Sequence, residues 1–117
     1  MKKGLFALGL AGLLALSWTT ATIAAPTAVG AEKCKMCHKV QFDSWMTTKH
    51  ATNDPKVDCE ACHGPGSDYK AMPVMKDPAK AKAAGLIAKP DKAACIKCHK
   101  DKWKDDMMAK AHAHKAK

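Results

Sequence analysis

The chain has 117 residues, enough for one small domain, and carries 20 basic against 11 acidic residues, a formal charge of +9. Such a balance suits acidic partners or an anionic membrane. The basic residues are not interleaved with aromatic ones, which argues against nucleic acid.

The N-terminal segment reads as an export signal. Lys2 and Lys3 form a positive start, residues 5–16 are an apolar run rich in Leu and Ala, and Thr22, Ile23 and Ala24 supply the small residues of a cleavage site. The expected cut follows Ala24, because a cut after Ala25 would leave Pro26 at the scissile bond. A membrane span needs about 20 apolar residues, and this run is shorter, so no stable membrane insertion is expected after cleavage. The domains are then residues 1–24, a signal peptide, and residues 25–117, one domain placed in the periplasm.

Beyond the signal the large apolar residues are few: Phe42, Trp45, Tyr69, Trp103, some Val, Leu and Ile, and six Met. A chain with so thin a core needs covalent or metal staples. All six cysteines fall into one repeated pattern, at Cys34, Cys37 and His38, at Cys59, Cys62 and His63, and at Cys95, Cys98 and His99. Disulfides do not call for a histidine after every pair, and a zinc site joining two pairs leaves the third unexplained. A thioredoxin-like motif needs an αβ context that is missing. C-x-x-C-H is the attachment signature of c-type haem: two thiols on one helical turn reach the two vinyl groups of a porphyrin, and the adjacent histidine ligates the iron. The expected cofactors are three c-type haems.

The fold class follows. The haems supply much of the core, and the chain wraps them with short helices and long loops in a mainly α, haem-packed multihaem cytochrome, with no strand pattern. After the first motif, Phe42, Met46 and His50 share a helical face with Trp45 beside it, and Trp103, Met107, Ala111 and His114 form a similar stripe after the third. After the second motif, Gly64, Pro65 and Gly66 stop the helix. Asp77 and Pro78 start a short helix that Lys89 and Pro90 break, and Asp91 caps the turn into the third motif.

Outside the motifs the chain has three histidines, His50, His112 and His114, the number that three bis-histidine haems need. His50 lies on the apolar stripe. Spacing from the third motif favours His112, helical phase favours His114, and both remain candidates. Met72 and Met75, in a loop expected near the middle haem, are the competing donors or padding.

From Cys34 to Gly66 the chain resembles the multihaem cytochromes of the c-554 family. The shared features are the first C-x-x-C-H, Trp45 in a helix, Lys49-His50-Ala51, and then Cys59-Glu60-Ala61-Cys62-His63-Gly64-Pro65-Gly66. The third motif and the histidines after it extend the likeness. Its members are mainly helical and pass electrons between periplasmic enzymes and quinone-linked carriers. The resemblance implies that His50 pairs with His99, that His112 or His114 pairs with His38, and that the haem on His63 can be five-coordinate. The relatives carry four haems and this chain has three motifs.

The expected function is electron transfer between redox partner proteins, without enzymatic turnover. Lys35, Lys39, Lys97, Lys100 and Lys104 flank the motifs and suit an acidic partner. One alternative is a haem enzyme or gas sensor for small nitrogen oxides at an open middle haem, where Glu60 and Asp68 are the nearby carboxylates and are expected at the surface. Another is a haem subunit of a larger redox complex or filament.

Overall fold

The computed structural model describes residues 23–113; residues 1–22, with most of the expected signal, and residues 114–117, with His114, lie outside them. Every regular element among the described residues is helical. In chain order these are α1 (Ala31–Lys35), α2 (Lys39–Met46), α3 (Lys49–Thr52), α4 (Cys59–His63), α5 (Met72–Met75), α6 (Pro78–Ala83), α7 (Lys92–His99), a 3-10 turn (Lys100–Lys102) and α8 (Met107–Lys110). The fold is the mainly α one expected. Helices this short are marginal alone and depend on what they pack against.

The local signals explain most boundaries. Asp77 accepts from the N–H groups of Ala79 and Lys80, with Pro78 in the first helical turn, and Asp91 accepts from Ala93 and Ala94. Asp58 accepts from Glu60 at the start of α4, and Gly64 ends that helix at a φ of 83°.

Three expectations are corrected. The helix after the first motif is broken rather than continuous to His50. The Thr47 and Thr48 hydroxyls donate to the Ser44 and Trp45 carbonyls, and Thr48 is extended, so α3 starts afresh. The stretch after the third motif is likewise not one helix: a 3-10 turn runs to an extended Trp103 before the brief α8. The helix begun at Pro78 ends at Ala83, well before Lys89 and Pro90, because Gly85 turns the chain at a φ of 92°.

The hydrophobic core is as small as the composition implies. Among the described residues the buried apolar side chains are Phe42, Trp45, Ala51 and Ala81. Phe42 and Trp45 pack at 5.5 Å between centroids and 54° between planes, a tilted pair that adds about 1 kcal/mol beyond its burial. The Trp45 indole N–H donates to the Val57 carbonyl, and the Val57 N–H donates to that of His50. Met46, expected on the inner stripe, is instead exposed, as are Met36, Met72, Ile87 and Ile96. Met36 and Ile96 lie inside the first and third motifs, so apolar side chains line the places where a porphyrin would attach.

Candidate haem sites

The three motifs sit on helical turns in three settings. The first begins on α1, and although that helix ends at Lys35, the Cys37 and His38 N–H groups still donate to the Cys34 carbonyl. The second is the whole of α4, and the third closes α7. Each turn therefore presents its thiols and imidazole in the same local order.

The middle motif packs beside the first, α4 against α1, with the Cys59 thiol close to that of Cys34. It lies within electrostatic range of the third through Cys62, Cys95 and Cys98. Burial, then the neighbouring Cys34, pushes the Cys59 thiol up to about 12. Burial also raises Cys34 and Cys62. All six cysteines are free thiols in this structure. Among the described residues no three His, Cys, Asp or Glu side chains converge as a zinc or iron–sulfur site requires.

Four of the described histidines instead come together in twos. The His50 and His99 rings are 6.0 Å apart between centroids, and the His63 and His112 rings 5.8 Å. A metal–imidazole bond is about 2 Å, so two imidazoles on opposite sides of one metal hold their centroids about 6 Å apart. Both pairs match that span. Each joins a motif histidine to one of the spare histidines.

The surroundings favour the same use. His63 Nδ1 donates to the Ile87 carbonyl at 2.8 Å, and the Ile87 N–H donates back to the His63 carbonyl at 2.9 Å. That fixes the tautomer and leaves the lone pair on Nε2, as metal-ligating histidines commonly have it. His112 Nδ1 donates to the Ala113 carbonyl, and the Ala113 N–H donates to the Ser44 hydroxyl, which ties the C-terminal segment to α2. Trp103 lies 6.4 Å from the His99 ring. On these donor sets and exposed apolar residues, the protein fits the group that its motifs announce.

Several placements differ from expectation. Of the two candidates for His38, His112 stands against His63 instead, on the middle motif that the resemblance allows to be five-coordinate. His114 lies outside the described residues. Met75 is on α5, not in a loop, and lines a cleft with Cys34, Cys37, His38 and Tyr69, beside the first motif and not the middle one. Met72 is exposed. Tyr69, which the sequence reading did not single out, brings its hydroxyl to 3.5 Å from His38 Nε2. Burial, then the Cys34 and Cys37 thiols, raises the phenol above its usual range, so it keeps its proton when no cation is beside it.

Glu60 is not a free surface carboxylate either. It is partly buried and accepts from the N–H groups of Val29, Gly30 and Gly66 at 2.6–2.9 Å, fastening the segment before α1 to the turn after α4. Burial works to raise its pKa, and the Gly30, Val29 and Gly66 N–H groups together outweigh it, holding the carboxyl below its usual range. A depressed folded pKa adds stability above the unfolded value, about 4.3, that is lost as pH falls through the folded one. Glu60→Gln turns an amide N–H toward these donors and should cost about 1–2 kcal/mol at neutral pH. Thermal melts should show the gap between variant and wild type closing below about pH 4.

Residues 50–104 match the family model for the doubled CXXCH motif. With the paired histidines, that defines the class: the chain is a multihaem c-type cytochrome, a haem-binding electron-transfer protein. Within the class, residues 33–56, which hold the first motif, α2 and α3, match the model for cytochrome c554 and c-prime. No curated protein and no solved structure matches the chain. Among the described residues no helix is long and apolar enough to cross a membrane.

Proposed function

We propose that the chain is an exported periplasmic electron carrier with three c-type haems, one at each motif, and that two of their irons are held between paired histidines. The observation that carries this reading is the joining of His99 to His50 and of His63 to His112 at the span of one metal. Cys34 and Cys37 would hold the first haem, Cys59 and Cys62 the second, and Cys95 and Cys98 the third. When bound, haem supplies a one-electron couple that the polypeptide lacks.

The chain's own residues then do three things. The paired histidines would hold two of the irons from both sides, which would exclude substrate and leave little to rearrange on transfer. The Ile87 and Ala113 carbonyls orient the two rings of the middle pair, and the Ser44 hydroxyl anchors the Ala113 backbone. The middle motif, packed beside the first and within electrostatic range of the third, would be the relay between them.

Redox partner proteins with acidic surfaces would dock on the third-motif side, at Lys97, Lys100 and Lys104. Of the other flanking lysines, Lys39 pairs with Asp43 and Lys35 lies over the Phe42 ring. A reductive titration should show three one-electron steps, and the reduced protein should re-oxidise with an electron acceptor without consuming a substrate. Its exchange rate with an acidic partner should fall as salt rises. Sustained turnover of nitrite or nitric oxide would make it an enzyme instead.

A further inference from the structure

The first motif is the one whose histidine is met by no other histidine among the described ring contacts. His38 instead faces Tyr69, the one tyrosine in the chain. The phenol oxygen lies 3.5 Å from His38 Nε2, at the long limit of a hydrogen bond. Two donor atoms on opposite sides of one metal would stand about 4 Å apart, so a small outward shift would admit a metal between them. Both side chains border one cleft, walled by Val29, Cys34, Cys37 and Met75. It therefore holds the two thiols, the proximal imidazole and an oxygen donor of a single haem site.

We propose that Tyr69 supplies the sixth ligand of the first haem, giving two bis-histidine haems and one histidine–tyrosine haem. This rests on the reading of one haem at each motif. Phenolate is an axial ligand that haem proteins use, and it favours the ferric state. Tyr69 would hold ferric iron as phenolate, its proton released to solvent, and would take a proton back from solvent when a redox partner supplies the electron that weakens the bond. The first haem then becomes the site that a neutral diatomic ligand reaches in the reduced protein, while the other two stay closed.

Two other groups are candidates for the position. Met75 lines the same cleft, and His114 follows in the sequence. The test compares wild type with Tyr69→Phe, Met75→Leu and His114→Ala, after intact mass has counted the haems on each. The ferric spectra are recorded by electron paramagnetic resonance and by resonance Raman excited in the phenolate-to-iron band. Carbon monoxide uptake is measured on the reduced proteins.

The expected wild type has one haem of three with phenolate vibrations and binds one carbon monoxide. Tyr69→Phe should abolish those vibrations and leave that haem five-coordinate, while the other two variants match wild type. Three bis-histidine signals in wild type, one of them lost in His114→Ala, would overturn the proposal. So would a methionine-ligated signal lost in Met75→Leu. A wild-type mass without a haem at every motif would overturn the haem reading itself, and is told apart from these outcomes by the mass alone.

Discussion

Replacing His50 with alanine should turn one haem from low-spin to high-spin and open it to carbon monoxide, affecting about a third of the haem signal. His50 is held on α3 by two connected hydrogen bonds, from the Trp45 indole to the Val57 carbonyl and from the Val57 N–H to the His50 carbonyl. Ala51 beside it is buried against Phe42 and Trp45. The backbone thus stays in place when the imidazole is removed, and no neighbouring side chain is drawn in to replace it. The affected haem is the one on Cys95, Cys98 and His99, because His99 is the ring that His50 faces. The loss of a strong nitrogen ligand is among the largest changes one substitution makes to a haem. Electron paramagnetic resonance of the oxidised variant, beside carbon monoxide difference spectra of the reduced one, measures it. A spectrum identical to wild type would remove His50 from the ligand set.

Gly64→Ala should be the most damaging change outside the haem ligands. A Cβ at this position would lie 2.3 Å from the Gly85 carbonyl oxygen, a backbone atom with no side-chain freedom to move away. The backbone at Gly64 also has φ 83° and ψ 167°, a region open essentially to glycine. Strain and overpacking together should cost about 2–5 kcal/mol. The damage reaches the middle haem, because the Ile87 carbonyl that orients His63 lies two residues beyond Gly85. Gly85→Ala is the control. Gly85 has a φ of 92°, but a Cβ there meets nothing closer than 3.9 Å, so only the conformational cost remains, about 1–2 kcal/mol. Thermal melts followed by circular dichroism should rank Gly64→Ala well below Gly85→Ala. Equal losses would mean that the contact with the Gly85 carbonyl carries no weight.

The parts of this molecule legible in the sequence are those written in short-range chemistry. The C-x-x-C-H motifs declare c-type haem, Asp77 and Asp91 declare helix starts, and Gly64 declares a stop. The mainly α fold and the thin core of Phe42 and Trp45 follow from the same composition. What could not be read depends on how distant segments meet. Glu60 looked like a surface carboxylate because its three donors come from Val29 and Gly30, far earlier in the chain, and from Gly66. His112 was open to several partners until the Ser44 hydroxyl caught the Ala113 N–H and set it against His63. Tyr69 carried only one weak signal, being the single tyrosine in a loop after a motif. The long helix predicted up to His50 failed because the hydroxyls of Thr47 and Thr48 compete for helix carbonyls, which hydrophobic periodicity does not register.

The most direct test of the central claim is the intact mass of the purified, denatured protein, with the visible spectrum of the same sample after dithionite reduction. Covalent haem survives denaturation, so the account predicts a mass higher than the polypeptide by three haems, together with the sharp reduced bands of a c-type cytochrome. A mass equal to the bare polypeptide, or one lower only by the hydrogens of three disulfides, would contradict it.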